Sequence, residues 1–307
     1  MHVVIFGGTG LLGRALVATL RAQGHTVAVV TRRPEAHFGG VLERVPRVAW
    51  TPSDPNALAR HLRQADAVVN LMGENIAASR WTAARKRALV ASRVETGRAL
   101  AAAMRLAQPR PQVLLQASAV GYYGDRGDDL LDESTPPGDD FLARLCVAWE
   151  ASTAPVEGLG VRRAVLRTGV VLSREGGALP RLLLPIRLGV GGPLGTGRQW
   201  MPWIHIADHV YAMLFLMTHE EAQGVFNLVA PTPVTNAELT RALAQRLHRP
   251  AFFRVPAFAL RLLFGEMSSV LLASQRVLPN RLLDAGFAFR YPLLDVALDN
   301  LLAPTPA

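Results

Sequence analysis

The chain has 307 residues, of which half are hydrophobic and 19% are charged, and its net charge is +9. This composition indicates a well-buried globular protein. No apolar run reaches the roughly 18 residues that cross a bilayer, and the first residues form a strand rather than a leader. We therefore predict a cytoplasmic protein with no membrane partner. The basic residues are scattered and accompany no recognition motif, so nucleic acid is not an expected partner.

Short apolar runs alternate with helical patterns through the first 170 residues. The runs that predict strands are HVVIF, TVAVVT, RVAW, AVVNL, QVLLQAS and RRAVLRTG. Strands that alternate with helices are joined by right-handed crossovers, which build a parallel sheet covered on both faces. The expected fold is therefore α/β, with a Rossmann-like, doubly wound parallel sheet.

A glycine-rich turn, FGGTGLLG, follows the first strand and leads directly into a helix. Glycines let backbone N–H groups approach a pyrophosphate, and the helix N-terminus adds partial positive charge. A lone glycine pattern is a weak signal, but here it opens a βαβ unit, and it therefore predicts a dinucleotide site. The residues of the turn expected to contact the dinucleotide are Gly7, Thr9, Gly10, Leu11, Leu12 and Gly13.

The end of the second strand indicates which dinucleotide binds. NAD-binding folds place an acid there for the ribose 2′-hydroxyl, whereas a 2′-phosphate requires positive charge. TVAVVTRRP ends in Thr31, Arg32 and Arg33, with no acid before Glu35. A guanidinium group can bind a phosphate through two N–H groups. We therefore predict NADP(H) as the cofactor, with a solvated arginine pair as the alternative.

The pattern changes after residue 175, where a Gly/Pro-rich segment interrupts the alternation. A strand and a helix return in WIHIADHVYAMLFLM, followed by the strand GVFNLV, and TNAE near residue 235 predicts a helix with a capping box. We predict a nucleotide-binding domain of residues 1–177, to which 205–230 return. Residues 178–204 and 231–307 would form a smaller, discontinuous C-terminal lobe for a substrate or partner.

Several motifs resemble those of the extended short-chain dehydrogenase/reductases, which include nucleotide-sugar epimerases and dehydratases. These are NLMG at 70–73 and GRQWMPWIHIADHV at 197–210. A closer resemblance, over essentially the whole chain, is to an atypical branch usually labelled "epimerase family protein", which has a C-terminal domain of unassigned function. The segments that carry it are NLMGENI, ASAVGYYG, VLRTGVVL, GGALPRLLLPIRLGVGGPLGTGRQW, PTPVTNAEL and SQRVLPNRLLDAGFAFRYP.

The resemblance implies further cofactor contacts and a homodimer. Leu71, Met72 and Gly73 would line the ribose and nicotinamide, and Val170 would lie near the nicotinamide. Arg93 would reach the pyrophosphate or an anionic substrate, unless it lies on a solvated helix face. His205 and Asp208 in the second motif are expected to brace the return to the smaller lobe.

The acid and base of the active relatives are missing. Those enzymes use Tyr-x-x-x-Lys on the helix after the fifth strand, where the lysine lowers the tyrosine pKa, and a serine at the strand end. In FLARLCVAWE the two positions fall on Leu142 and Cys146, and none of the four tyrosines is followed four residues later by lysine. Cys146, the single cysteine, is expected to be a buried structural residue.

Three residues are candidates for moving a proton instead. Ser118 stands at the serine position of the family, unless a one-residue insertion places Ala119 there. Tyr122 and Tyr123 follow the fifth strand, and we select Tyr123, while Glu74 follows the fourth strand. A structural role is the alternative for the tyrosines and for the glutamate.

Two functions therefore stay open. The first is an NADP-dependent oxidoreductase or epimerase that acts on a small polar metabolite, which the glycine turn and the candidate Ser, Tyr and Glu favour. The second is a non-catalytic NADP(H)-binding sensor or regulator with a protein partner, which the missing pair favours. The eight histidines are dispersed and no ligand spacing stands out, so no metal is expected.

Overall fold

The computed structural model describes residues 1–36, 38–50 and 52–303. Its strands are β1 (His2–Phe6), β2 (Thr26–Thr31), β3 (Arg47–Ala49), β4 (Ala67–Asn70), β5 (Val113–Ala119), β6 (Leu130–Leu131), β7 (Arg162–Thr168), β8 (Val170–Ser173), β9 (Gly176–Gly177), β10 (Trp200–Met201), β11 (Trp203–His205), β12 (Gly224–Leu228), β13 (Val234–Thr235) and β14 (Arg276–Val277). Its helices are α1 (Leu11–Ala22), α2 (Pro55–Leu62), α3 (Ala83–Leu106), α4 (Phe141–Thr153), α5 (Ala178–Arg187), α6 (Ile206–Thr218), α7 (Asn236–Arg246), α8 (Ala257–Phe264), α9 (Ser269–Leu272), α10 (Asn280–Asp284) and α11 (Leu294–Leu302). Short 3-10 segments occur at Gly40–Leu42, Val120–Tyr123, Ala154–Leu159 and Gly265–Ser268. No helix in the described part of the chain is long and apolar enough to span a membrane.

The large sheet has seven strands in the order β12-β7-β5-β4-β1-β2-β3, and all six pairings are parallel. This arrangement confirms the doubly wound, Rossmann-like fold. The order reverses between β1 and β4, and ligands of such sheets bind in the crevice at the carboxyl ends of the strands on either side of this reversal. The glycine turn after β1 and the segment after β4 are therefore neighbours at this edge.

The core of the sheet follows from the pleat of β1, whose side chains alternate between two helical layers. Val3 and Ile5 pack in the cluster that includes the buried residues of α1 and α6. Val4 and Phe6 pack in the cluster that includes those of α2 and α3. All four side chains are completely buried, which fixes the strand whose end carries the glycine turn.

The smaller lobe has its own core around a three-stranded sheet, β11-β8-β9. Leu172 of β8 and Trp203 of β11 are buried there with Leu239 of α7 and Leu298 of α11. β8 and β9 fall inside the range 1–177, yet they pair with β11 rather than with the large sheet. The expected capping box begins α7, with Thr235 and Glu238 bonded reciprocally.

Side chains of α6 and its N-cap connect the two parts of the chain. Asp208 accepts hydrogen bonds from the backbone N–H groups of Arg290 and Tyr291, at 2.9 Å each. The His205 ring stacks on the ring of Tyr291 and lies 3.1 Å from the Asn300 amide oxygen. Both residues therefore brace the smaller lobe, as the sequence predicts.

A buried histidine on α6 makes stability depend on pH. His209 is fully buried, its Nε2 lies 3.0 Å from the Thr168 hydroxyl, and its Nδ1 has no partner among the described residues. Burial lowers the pKa of His209 from 6.5 to about 3. Below pH 6.5 the unfolded chain therefore binds a proton that the folded chain does not, and stability falls as the pH falls, by about 1.4 kcal/mol per pH unit.

We expect His209→Leu to remove this slope between about pH 4.5 and pH 6. The measurement is urea unfolding of both proteins at a series of pH values. The free energy of unfolding of one protein is subtracted from that of the other at each pH, so that the contribution of the carboxylates, which both proteins share, cancels. The exposed His61 provides the control, since His61→Gln should keep the wild-type slope. Parallel slopes for wild type and His209→Leu would show that His209 does not cause the dependence.

Candidate nucleotide site

The glycine turn packs directly on the segment that follows β4. Gly7 has φ +77°, a left-handed conformation that favours glycine, and a Cβ there would lie 2.8 Å from the Leu71 carbonyl oxygen. A Cβ on Gly13 would lie 2.5 Å from the Gly7 carbonyl oxygen. Only glycine fits at these two positions, so the backbone of the turn stays close to Leu71 and Met72 and open to a ligand.

The N-terminus of α1 has no side-chain cap. Gly10 is the N-cap residue, and its carbonyl accepts the N–H of Arg14 at 2.9 Å. The Arg14 side chain donates to the Thr9 carbonyl at 3.1 Å, away from the first-turn N–H groups. Uncapped N–H groups and the helix dipole together form an anion-binding end. Leu11 and Leu12, at the start of the helix, are half-buried.

Two arginines stand at the end of β2, next to β1 in the sheet. Arg32 and Arg33 are exposed, and among the described residues neither guanidinium has a hydrogen bond or ion pair. The Thr31 hydroxyl accepts the backbone N–H of Arg33 at 3.2 Å and so fixes the turn. Positive charge is therefore available at the sheet edge that carries the glycine turn.

Arg93 supports the loop after β4 from inside the molecule. Its side chain is buried and lies over the ring of Trp149, and a Cβ on Gly73 would lie 2.9 Å from its guanidinium carbon. It donates to the carbonyls of Glu74 at 2.9 Å and Leu89 at 3.2 Å. Burial lowers the pKa of Arg93. The alternative of a solvated helix face is wrong, and the predicted contact with a phosphate stays a prediction.

Val170 and Glu74, the remaining two predicted residues, both contact other segments of the chain. Val170 is half-buried at the start of β8 and donates its backbone N–H to the Pro202 carbonyl at 2.7 Å. The Glu74 carboxylate forms an ion pair with Arg85 of α3, while its backbone N–H donates to the Ser92 hydroxyl at 3.1 Å. Glu74 therefore ties its loop to α3.

Ser118 belongs to a buried ionic network. Its hydroxyl donates to one Glu150 carboxylate oxygen at 2.6 Å, and the Arg167 guanidinium donates to both oxygens, at 2.9 and 3.0 Å. Ser118 and Arg167 are each 3% exposed. Ala119, the alternative at the serine position, is half-buried at the end of β5. Neither residue presents a free hydroxyl to the crevice.

The two adjacent tyrosines differ in accessibility. Tyr123 is completely buried; its hydroxyl donates to the Asn227 amide oxygen at 2.7 Å and accepts from Arg167 at 3.2 Å. Burial raises the pKa of Tyr123 to about 12, although Arg167 acts to lower it. Tyr122 is half-buried with the guanidinium carbon of Arg167 3.3 Å from its ring centroid. Within the described residues the Tyr122 hydroxyl has no hydrogen-bond partner.

The structure thus joins Ser118 and Tyr123 through Glu150 and Arg167, and leaves Glu74 outside this network. Sequence reasoning missed Glu150, Arg167 and Asn227. The available signal was Arg167, a charged residue that directly follows the apolar run AVL of a parallel strand and, if buried, requires an acidic partner.

Helix α4 carries apolar groups where active relatives place their acid and base. Asp140 caps the helix, and its carboxylate accepts the backbone N–H of Ala143 at 2.8 Å. Leu142 lies against the turn of the tyrosines, since a Cβ on Gly121 would be 3.3 Å from the Leu142 Cβ. Cys146 is buried beside Ser118, and burial, with the Glu150 charge adding to it, raises the thiol pKa to about 12. The predicted burial of Cys146 is confirmed.

A segment near the C-terminus covers this face of α4. Met267 is buried with Trp81, and Phe264 and Leu142 pack against the same cluster. Glu266 forms an ion pair with Lys86 of α3, which holds the segment in place. The position of the missing tyrosine is therefore enclosed by apolar side chains.

Comparison with known proteins identifies relatives along nearly the whole chain. Residues 3–228 match the model of the NAD dependent epimerase/dehydratase family, and residues 255–301 match a domain of unknown function, DUF1731. An epimerase family protein of Mycobacterium tuberculosis is 42% identical over 301 residues, 96% of each chain. The human epimerase family protein SDR39U1 is 38% identical over 99% of this chain and 100% of its own length. These matches confirm the resemblance inferred from the motifs.

Solved structures agree with the sequence comparison. The crystal structure of human SDR39U1 (isoform 2) with NADPH superimposes with a TM-score of 0.87 at 36% identity, over 98% of this chain and 99% of that one. A nucleoside-diphosphate sugar epimerase from Corynebacterium glutamicum gives 0.80 at 35% identity, over 98% of this chain and 58% of that one. The Thermotoga maritima UDP-glucose 4-epimerase with UDP-glucose gives 0.78 at 16% identity, which shows the shared fold alone.

Proposed function

This chain belongs to the NAD dependent epimerase/dehydratase family, and from that premise we propose that it binds NADP(H) in the crevice between β1 and β4. One observation carries the proposal: a closely packed glycine turn and an uncapped helix N-terminus lie at the same sheet edge as two arginines whose side chains have no partner among the described residues. The human relative of known structure was crystallised with NADPH. An acid at the end of β2, which NAD would require, is absent from TVAVVTRRP.

Different residues bind different parts of the cofactor. The N–H groups at the start of α1 bind the pyrophosphate, and Arg32 with Arg33 binds the 2′-phosphate, held by the turn at Thr31. Leu71, Met72 and Gly73 line the ribose and nicotinamide, with Val170 across the crevice. When bound, the cofactor supplies or accepts a hydride.

The reaction that we assign is oxidation–reduction or epimerisation of a small polar metabolite, with Tyr122 as the group that moves the proton. Tyr122 lies in the turn that contacts Leu142, the position of the family's tyrosine. Its hydroxyl is not engaged by another described residue, and the cationic Arg167 stacks on its ring. A tyrosine hydroxyl that no other described residue engages can give a proton to a substrate or take one from it.

The other candidates, Ser118, Tyr123 and Glu74, then hold neighbouring groups in place and do not transfer the proton. Glu150 holds Arg167 through two hydrogen bonds, and Ser118 and Tyr123 bond to the same pair. This network keeps the guanidinium against the ring of Tyr122. Glu74 fixes the loop that lines the nicotinamide.

The test compares Tyr122→Phe with Tyr123→Phe, which removes a hydroxyl one residue away. Purified protein is screened with NADPH and NADP⁺ against carbonyl compounds and nucleotide sugars, followed by nicotinamide absorbance and product analysis. We expect Tyr122→Phe to lower turnover by about 10²-fold or more while NADPH affinity stays unchanged. Tyr123→Phe should keep its turnover and lose stability instead. Full turnover in Tyr122→Phe would contradict the assignment.

A second candidate is a sensor of the NADPH/NADP⁺ ratio that binds a regulatory protein partner and performs no chemistry. The specific support is the apolar enclosure of Leu142 by Trp81, Phe264 and Met267, together with the protonated Cys146. Such a protein would show no turnover in the screen, yet its protection from proteolysis or its affinity for the partner would differ between NADPH and NADP⁺.

A further inference from the structure

The smaller lobe carries large apolar side chains that protrude into solvent. Eight of those that are more than half exposed form what we name the apolar ridge: Leu184, Leu188, Val190, Phe252, Phe253, Phe258, Leu262 and Leu263. Phe258 and Leu262, one turn apart on α8, are 72% and 76% exposed. Exposed side chains of this size carry a cost in water unless another surface covers them.

The two stretches that form the ridge run side by side. The backbone N–H of Phe253 donates to the Gly191 carbonyl at 3.3 Å, and that of Val255 donates to the Pro193 carbonyl at 3.0 Å. Leu194 and Val255 form a parallel β-bridge. Helix α8 begins at Ala257, directly after this pairing. The apolar residues at the end of α5 therefore lie on the same part of the surface as those of α8.

The ridge lies in two stretches that contain no acidic residue. Neither 176–207 nor 239–265 contains an Asp or a Glu. Seven exposed arginines of these stretches have no hydrogen bond or ion pair to a described residue through their side chains: Arg181, Arg187, Arg198, Arg241, Arg249, Arg254 and Arg261. Beside Phe252 a groove of about 550 Å³ is lined by Arg241, His248 and Arg249. Unpaired guanidinium groups beside apolar side chains fit a partner that is both anionic and apolar.

We propose that the apolar ridge and its arginines bind the smaller lobe to the surface of an anionic phospholipid bilayer. Phenylalanine and leucine side chains enter the boundary between headgroups and acyl chains, while guanidinium groups bind lipid phosphates, one of them in the groove. This binding is peripheral and independent of the cofactor site. It replaces the expectation of no membrane partner, which rested on the lack of a spanning segment.

Other occupants fit these observations less well. A second copy joined about a two-fold axis would bring the same arginines together with no acid to pair them. A bound peptide helix lies in a groove that shields the apolar side chains of its receptor, whereas Phe252, Phe258 and Leu262 protrude and are at least 70% exposed. Protrusion suits insertion into a bilayer.

The experiment is co-sedimentation of the full-length protein with vesicles. One set contains phosphatidylcholine alone and the other also contains about 30% phosphatidylglycerol, near the anionic content of natural surfaces. We expect binding to the anionic vesicles only, reduced by about tenfold or more in roughly 0.5 M salt, where the charges are screened. Sedimentation that is equal for both vesicle types, or absent for both, would overturn the proposal.

Two double variants separate the apolar and the charged contributions. Phe258→Ser with Leu262→Ser, and Arg254→Gln with Arg261→Gln, should each weaken binding by about tenfold or more. The control is Leu130→Ser, which removes an exposed leucine from β6, outside the ridge. It should bind as the wild type does. Unchanged thermal midpoints and NADPH affinity show that the variants are folded.

Two further results would overturn the proposal even if the wild type binds vesicles. The first is undiminished vesicle binding by both double variants. The second is a dimer in solution that Phe258→Ser with Leu262→Ser converts to a monomer in analytical ultracentrifugation, which would identify the ridge as a subunit interface.

Discussion

Replacing Arg167 by leucine is expected to lower the free energy of unfolding by about 3–5 kcal/mol, because it leaves the Glu150 carboxylate buried without its cation. Among the described residues the Glu150 carboxylate then keeps only the hydrogen bond from Ser118, and the Tyr123 hydroxyl keeps only Asn227. The Glu150–Arg167 pair has side-chain exposures of 13% and 4%, so water cannot replace the lost contacts. For a protein of this size the thermal midpoint should fall by about 5–15 °C.

Denaturant and thermal unfolding of the variant measure this effect. The control is Asp295→Asn, which breaks the ion pair of Arg246 with a carboxylate that is 77% exposed and should cost less than about 1 kcal/mol. Glu150→Leu with Arg167→Leu removes both charges and should recover part of the loss, since a buried pair can be replaced by apolar groups at little cost. A double variant that is no more stable than Arg167→Leu would show that the unpaired carboxylate is not the cause.

The sequence was sufficient to predict the sheet and the nucleotide-binding turn, because both depend on local patterns. Buried parallel strands are continuous apolar runs, and the glycine turn must follow the first of them directly. The capping box at Thr235 and the Asp140 cap are equally local. The resemblance of the motifs then identified the family, which the relatives confirm.

The buried network could not be predicted because its members meet only in the folded chain. Glu150 on α4 and Arg167 on β7 are joined across the sheet, and Asn227 comes from a strand 104 residues after Tyr123. Tyr122 and Tyr123 are neighbours in one 3-10 turn, and no pattern indicates which ring turns inward. The structure buries Tyr123 completely and leaves Tyr122 half-buried, with a hydroxyl that no described residue engages. For this reason we propose Tyr122, rather than Tyr123, as the group that transfers the proton.

The apolar ridge could not be predicted from the sequence, for a related reason. Its residues read as ordinary helix and loop positions, and FALRLLF has the composition of a core helix. Of α8 only Leu260 is buried, although most of its residues are apolar. Exposure is a property of the assembled lobe.

Arg32→Glu is expected to weaken NADPH binding by about 100-fold, or about 2.7 kcal/mol. The arginine would form charge-assisted hydrogen bonds to the 2′-phosphate, and its replacement removes them and adds a like charge at the same place. Because Arg32 is exposed and has no side-chain partner among the described residues, the substitution should leave the thermal midpoint of the free protein unchanged.

The affinity is measured by titration with NADPH and NADH, followed by nicotinamide fluorescence and thermal shift. Arg60→Glu, at an exposed position of α2, makes the same change of charge away from the crevice and should keep wild-type affinity. NADH lacks the 2′-phosphate, so its binding should be weak in all three proteins. Arg32→Glu should therefore reduce the difference in affinity between NADPH and NADH. Equal NADPH affinity in Arg32→Glu and Arg60→Glu would show that Arg32 does not bind the cofactor. Weak binding of both cofactors by the wild type would contradict the assignment of the glycine turn as a dinucleotide site.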